Sequence, residues 1–208
     1  GQEDLCFALW YPSQGADRRT VLLHEVILPQ DNERNIHGNV SFNPTYFERV
    51  LSLALEKKSG IAFLHGHLGP GWQGMSPEDI LAEKGMAGAV KSATGLLLVG
   101  LTAGTDGSWS GRVWDKNTKG VFDRIWCENV RVVGENGLDV TFADHLLPPP
   151  KNQEELKRTI SSWGIKSQQK LARLKIGVVG LGSVGAIVAE GLARMGIERV
   201  VLIDFDRI

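Results

Sequence analysis

The sequence has little of what marks secreted, membrane-embedded or nucleic-acid-binding chains. It contains two cysteines, Cys6 and Cys127, in 208 residues, and its formal net charge is −1. Two cysteines outside any Cys-x-x-Cys pair predict small buried side chains rather than a disulfide framework. The near-zero charge gives no basic field for nucleic acid, no apolar run approaches the roughly 20 residues that span a bilayer, and no signal peptide stands at the N-terminus. We therefore expect a cytoplasmic globular protein with neither nucleic acid nor a membrane as partner.

Against this background, residues 65–79 form a concentrated set of metal-ligand side chains, His-Gly-His-Leu-Gly-Pro-Gly-Trp-Gln-Gly-Met-Ser-Pro-Glu-Asp. The apolar run before it, residues 61–64, is short and follows a glycine, which predicts a buried strand. Residues i and i+2 of a strand share a face. His65 and His67 are therefore expected side by side at the C-terminal end of this strand, where open α/β sheets place ligands.

A helix start follows the glycine-rich loop. Ser76 precedes Pro77 and stands three residues before Asp79, which is the pattern of an N-cap, a proline at the first helical position and an acid in the first turn. A chance His-x-His or an ordinary helix cap would explain either half alone. The first turn of this helix brings the Asp79 carboxylate back toward the end of the strand. Two imidazoles and one carboxylate are a common ligand set for catalytic zinc, which keeps one position open for water.

This array resembles the JAMM (JAB/MPN) metallopeptidase signature, His-x-His-Pro followed after seven residues by Ser-x-x-Asp. Leu68 departs from it, because the family usually has proline there. The resemblance implies a cytidine deaminase-like sheet with flanking helices, and Zn²⁺ held by His65, His67 and Asp79. It also implies that Ser76 stabilises the oxyanion and that an upstream glutamate is the general base for the water molecule.

Two glutamates are candidates for that base. Glu3 leads into an apolar run similar to the family's Glu-x-x-Gly-x-Leu-x-Gly segment, whereas Glu25 lies in a run that more resembles the next strand. The glycines and leucine of that segment are replaced here by Cys6, Ala8 and Trp10. We favour Glu3, with a solvated terminal acid as the alternative.

The remaining periodicities predict one compact α/β domain over residues 1–142. Helical spacing occurs at 46–58 and 77–91, and strand-like runs occur at 96–101, 109–114, 121–127 and 130–133. The alternation in residues 109–114 is typical of a surface strand. Three prolines at 148–150 favour an extended connection, so residues 143–163, including a polar helical stretch at 152–162, are expected to form a linker.

A second motif begins after this linker. Gly180, Gly182 and Gly185 form a Gly-x-Gly-x-x-Gly turn between a predicted strand and an amphipathic helix, and Asp204 ends the next predicted strand. A lone glycine motif is often only a packing turn. This one has the context of a nucleotide-binding Rossmann-like βαβ unit, in which the glycines admit phosphate to the helix N-terminus and the acid bonds a ribose hydroxyl.

Residues 164–208 resemble the start of a ThiF/MoeB-like, ubiquitin-activating type adenylating domain, whose second strand ends in Asp-x-Asp. The resemblance implies ATP with Mg²⁺ as cofactor and a homodimer through this part. It also implies that an arginine of the leading segment, here Arg158, reaches a phosphate, although a solvated charge is the simpler explanation. One βαβ unit cannot close an adenylation site, so we expect a piece of a longer fusion without adenylation activity of its own.

The two resemblances together imply a zinc isopeptidase that removes or processes ubiquitin-like proteins, joined to a module that adenylates them. Two alternatives stay open. An NAD-dependent oxidoreductase would use the glycine turn for its cofactor and the histidines for proton transfer, but leaves the spacing of Ser76 and Asp79 unexplained. A catalytically inactive MPN scaffold becomes the better hypothesis if neither glutamate is a base.

Overall fold

The computed structural model describes residues 3–37, 39–135, 137–150 and 154–206, and it is a mixed α/β structure. The chain divides into two compact units, Gly1–Thr141 and Phe142–Ile208. The elements of the first unit are, in chain order, β1 (Leu5–Gln14), β2 (Arg19–Ile27), β3 (Arg34–His37), β4 (Asn39–Phe42), α1 (Pro44–Glu56), β5 (Gly60–Gly66), α2 (Pro77–Thr94), β6 (Leu98–Ala103), β7 (Trp109–Lys116), β8 (Phe122–Trp126), β9 (Asn129–Gly134) and β10 (Gly137–Phe142).

One mixed sheet organises the first unit. In the described residues it has six strands in the order β2-β1-β5-β6-β7-β8. Strand β5 is antiparallel to β1 and parallel to β6, and the pairs β6–β7 and β7–β8 are antiparallel. The C-terminal ends of β5 and β6 therefore meet at one edge of the sheet, where ligands of α/β proteins usually bind.

Both helices pack on the same face of this sheet. Helix α1 contributes Tyr46, Val50 and Ala54, and helix α2 contributes Met86, Ala87 and Val90. Alternate residues of the strands complete this core, namely Leu5, Phe7, Leu9, Ile61, Phe63, Leu98 and Trp114. Because α2 crosses this face, its N-terminus can present side chains to the C-terminal end of β5.

The opposite face of the sheet carries a second, smaller hydrophobic core. It consists of Ala8, Trp10, Ala62, Leu64, Val99 and Leu101, with Val130 of β9 packed against it. Strand β9 pairs with β10, and β3 pairs with β4. The sequence patterns did not predict β3, β4 or β10, which are short or irregular in their alternation.

The second unit begins with a turn at residues 144–146 and the three prolines. Its elements are a 3₁₀ turn (Glu154–Leu156), α3 (Lys157–Trp163), α4 (Ile165–Ala172), β11 (Lys175–Val179), α5 (Ser183–Arg194) and β12 (Arg199–Ile203). Strands β11 and β12 are parallel, as a βαβ unit requires. Residues 152 and 153 of the predicted helical stretch lie outside the described residues.

The prediction of a surface strand at residues 109–114 was wrong. Strand β7 lies between β6 and β8, and both Ser110 and Arg112 on its helix-facing side are fully buried. Alternation shows that a strand has two different faces but not which of them is covered. Within the described residues, no helix is long and apolar enough to cross a membrane.

Candidate functional site

His65 and His67 lie at the C-terminal end of β5, as their spacing predicted. His65 is 6% exposed and pairs in register with Thr102 of the parallel strand β6. His67 follows the strand, and its backbone N–H donates to Ala103 O at 2.9 Å. The two Nε2 atoms are 3.2 Å apart. The pairing of β5 with β6 thus directs both imidazoles to one point.

Asp79 reaches the same point through a capping box at the start of α2. Its backbone N–H donates to Ser76 Oγ at 3.1 Å, and its Oδ2 accepts from Ser76 N at 2.8 Å. The Oδ2 atom is 3.1 Å from His67 Nε2, and Oδ1 is 3.4 Å from His65 Nε2. Burial opposes ionisation, but hydrogen bonds from His65 and Ser76 outweigh it, so the pKa of Asp79 lies well below its ordinary value. The third side chain is therefore an anion.

These three side chains fit a divalent metal ion. Tetrahedral zinc with ligands at about 2.0–2.1 Å separates its ligand atoms by roughly 3.3 Å, which is close to the 3.2 Å between the two Nε2 atoms. The Asp79 carboxylate lies near both imidazoles, with Oδ2 toward His67 and Oδ1 toward His65. Among the described residues the three side chains form the one group of three or more potential ligands that meets within 4.8 Å. The donor set, two imidazoles and a carboxylate, suits Zn²⁺.

Glu3 stands two residues before the start of β1, the strand that pairs with β5. Leu5 pairs with His65, and Gly66 N donates to Asp4 O at 2.9 Å, so the pairing continues toward the N-terminus. The antiparallel register then sets Glu3 opposite His67 and, by the period of two, on the same face as Leu5. Glu3 itself is half-buried, and its role as the general base stays a prediction.

Glu25 occupies a different region. Glu25 lies on β2 and pairs with Leu9 of β1. Leu9 in turn pairs with Ile61 of β5, four residues before His65. At about 3.4 Å per residue this is more than 10 Å from the ligands along the strand direction. The Glu25 carboxylate also forms an ion pair with Lys57.

Ser76 and Leu68 flank the ligands. The Ser76 hydroxyl accepts the N-cap hydrogen bond from Asp79, which leaves its own proton available as a donor. Leu68 is 60% exposed, so the residue that replaces the family's proline points into solvent rather than into the ligand set.

The glycine-rich loop between His67 and Ser76 is tied to the turn after β6. Asp106 Oδ1 accepts from Gly71 N at 3.0 Å, and Ser108 Oγ donates to Gly71 O at 2.7 Å. The Gln73 side-chain amide donates to three carbonyls of the loop at 2.8–3.0 Å. Hydrogen bonds from Ser108 and Gly71 lower the pKa of Asp106 to about 2. The loop is therefore held in place by an ionised side chain.

Sequence reasoning missed a buried charged network behind His65. Arg112 donates through Nε to Glu83 Oε2 at 3.0 Å and through Nη1 to Thr102 Oγ1 at 2.6 Å. Trp114 Nε1 donates to the same Glu83 Oε2 at 2.6 Å. Thr102 Oγ1 is 3.4 Å from His65 Nε2. Glu83 follows Asp79 by one helical turn, which is the signal in the sequence that places it on the same side of α2.

The cysteines take no part in these contacts. Both are free and half-buried, and burial raises the pKa of each thiol. Raised thiol pKa values leave little thiolate at neutral pH, as expected of packing residues rather than nucleophiles.

The glycine turn of the second unit has the backbone geometry its sequence predicted. Gly180 has a φ of +84°, a conformation that favours glycine. A Cβ on Gly185 would lie 1.8 Å from Gly180 O, so any side chain there would displace the turn. Gly182 is the N-cap of α5 without a side-chain cap, and a Cβ built on it meets nothing within 4 Å. The helix N-terminus is therefore open to an anion, and only a ligand would require glycine at 182.

Asp204 lies just after β12, beside this turn. Its Oδ2 accepts from Leu181 N and its Oδ1 accepts from Asp206 N at 2.8 Å. Hydrogen bonds from these amides lower the pKa of the exposed carboxyl group. A carboxylate has about four acceptor sites, so Asp204 can hold the turn and still accept a ribose hydroxyl.

Comparison with known proteins found a family match within this second unit. Residues 156–208 match the model of the ThiF family. This segment is ThiF-like. The match begins inside the segment that the sequence analysis expected to be a linker, so α3 and α4 are included in it. No curated protein matches the chain.

The similarity to the ThiF family favours ATP over NAD as the nucleotide. Arg158 of α3, for which the resemblance implied a phosphate contact and a solvated charge was the simpler explanation, is exposed. A homodimer through the ThiF-like segment, and a cytoplasmic location, stay predictions.

Proposed function

We propose that the first unit is a zinc-dependent isopeptidase of the JAMM (JAB/MPN) type and that it cleaves at the C-terminal tail of a ubiquitin-like protein. The proposal includes the cytidine deaminase-like JAB/MPN fold for this unit. The observation that carries it is that His65, His67 and Asp79 bring their ligand atoms within 4.8 Å of one another, as the ligands of one metal ion require.

The resemblance to the JAMM signature supplies the roles of the protein side chains in this proposal. When bound, zinc would activate a water molecule and polarise the scissile carbonyl group. His65, His67 and Asp79 would hold the ion. The Glu3 carboxylate takes a proton from the attacking water and delivers it to the departing amine. The Ser76 hydroxyl, whose acceptor side is engaged by the helix cap, donates to the oxyanion of the substrate.

The ThiF-like segment supports the choice of substrate. ThiF-like domains use ATP with Mg²⁺ and act with ubiquitin-like proteins. A hydrolase encoded in the same chain is well suited to trim or release the tail that such a domain adenylates, which is an argument from family analogy. Gly180, Gly182, Gly185 and Asp204 would bind the nucleotide in this arrangement.

The test uses the zinc-loaded chain and a ubiquitin-like protein fused through its C-terminus to a reporter, and it measures the rate at which the fusion is cleaved. We expect the Glu3→Gln variant to retain one zinc per chain and to lose roughly 10²–10⁴-fold in kcat, because only proton transfer is removed. Glu25→Gln is the matched control, and it should cleave at nearly the wild-type rate.

Zinc binding without cleavage by the wild-type chain would contradict the isopeptidase proposal and favour an inactive scaffold. Full activity in Glu3→Gln together with inactivity in Glu25→Gln would contradict the assignment of the base.

A further inference from the structure

The starting observation is a fully buried ion pair beside the proposed metal ligands. The side chains of Arg112 and Glu83 are both 0% exposed. A buried pair of this kind often contributes little net stability, because desolvation of both charges offsets their attraction. The location of the pair beside the proposed ligands is therefore more informative about its role than its contribution to stability.

One hydroxyl group separates the arginine from a metal ligand. Arg112 Nη1 donates to Thr102 Oγ1 at 2.6 Å, and this oxygen lies 3.4 Å from Nε2 of His65. A guanidinium group is always charged, and solvent does not screen it here. Without compensation, a fixed positive charge would stand next to the position that a divalent cation must occupy.

Glu83 provides that compensation through more than one contact. It accepts from both Nε and Nη2 of Arg112 and also from Trp114 Nε1. The sheet leaves room for this arrangement only because residue 100 is glycine, since a Cβ there would lie 2.2 Å from Glu83 Oε2 and 2.6 Å from Arg112 Nε. The backbone of β6 is thus adapted to the charged pair.

We infer that Glu83 is a charge-balancing residue of the metal centre, which cancels the field of Arg112 so that the His65, His67 and Asp79 set binds a divalent cation tightly. Glu83 itself does not touch the metal. The inference rests on the proposed zinc site and goes beyond it, because it assigns a determinant of metal affinity outside the ligand set.

The test is the dissociation constant for Zn²⁺, and for Co²⁺ as a spectroscopic probe, measured on the folded full chain. Glu83→Gln keeps an acceptor for Trp114 but leaves Arg112 uncompensated, and we expect metal affinity to fall at least about tenfold. Arg112→Met removes the cation and should not weaken binding. The double variant Glu83→Gln/Arg112→Met is again neutral and should return affinity to within about threefold of wild type.

Glu78→Gln is the matched control. It removes the same charge from the first turn of the same helix, but at an exposed position, where solvent screening should leave the affinity nearly unchanged. The double variant also covers the case in which Glu83→Gln alone does not fold, since a neutral pair avoids an unpaired buried charge.

A purely structural role for the pair predicts that all three variants weaken metal binding together. That pattern, or wild-type affinity in folded Glu83→Gln, would overturn the inference. A wild-type chain that binds zinc but cleaves nothing would contradict the proposed hydrolase and leave the charge-balancing role standing. A wild-type chain that binds no divalent cation would overturn both.

Discussion

The two candidate sites of this chain offer different chemical groups to a ligand. In the first unit, side chains from β5 and α2 converge on one point, and their contacts are made by imidazole and carboxylate atoms. In the ThiF-like segment, the site is a glycine turn and a helix N-terminus, so backbone groups would make the contacts. The first site should therefore fail when a side chain is removed, and the second when a side chain is added.

The surroundings of the two sites differ as well. The ligand set of the first unit lies against a buried core, and His65 and Glu83 are among its buried polar residues. In the ThiF-like segment, large apolar side chains of β11, α5 and β12 are exposed, including Val179, Ile187, Leu202 and Ile203. Parallel strands are normally covered on both faces, so these exposed surfaces have the residue composition of a buried core.

The largest effect is expected from His67→Ala, which removes a side chain from the first site. The variant should lose both stoichiometric zinc and all measurable cleavage, because the two remaining ligands cannot hold the ion at the same affinity. Metal analysis of the purified chain, together with the cleavage assay, checks this. The variant should leave any binding of ATP by the ThiF-like segment unchanged. A parallel loss of nucleotide binding would contradict the independence of the two sites.

Ser76→Gly is expected to have the next largest effect. Glycine replaces serine at an N-cap at a cost of only a few tenths of a kcal/mol, whereas removal of an oxyanion donor typically lowers kcat by about 10²–10³-fold. Steady-state kinetics and thermal unfolding of the same preparation separate the two contributions. A loss of stability that matches the loss of activity would mean that Ser76 acts only as a cap.

A pair of glycine variants tests the second site by adding a methyl group. Gly185→Ala places a Cβ against Gly180 O and should destabilise the ThiF-like segment by a few kcal/mol. Gly182→Ala meets no neighbouring atom and should leave stability within about 1 kcal/mol while weakening ATP binding, because phosphate loses its close approach. Thermal unfolding and nucleotide titration measure both effects. Equal destabilisation by the two variants would show that Gly182 serves the turn rather than a ligand.

Much of the first site could be predicted because its ligands are close in sequence. The positions of His65 and His67 follow from the period of a strand, and that of Asp79 follows from a helix cap, so neither depends on the tertiary fold. The same applies to the glycine turn, where a strand, a turn and a helix are consecutive.

The remaining parts depend on contacts between residues distant in sequence. The position of Glu3 opposite His67 requires the pairing of β1 with β5, across about 60 residues of chain. Arg112 was assigned to a surface strand because its alternation does not reveal that α2 covers that face. Its partner Glu83 resembles any polar residue of an amphipathic helix until both elements are packed together.

The most direct measurement is a crystal structure of the zinc-loaded chain with anomalous data collected at the zinc absorption edge. We expect one anomalous peak bounded by Nε2 of His65, Nε2 of His67 and the Asp79 carboxylate, with the Glu3 carboxylate facing the open coordination position. A peak away from these three side chains, or a Glu3 side chain directed away from that position, would contradict the proposed isopeptidase centre.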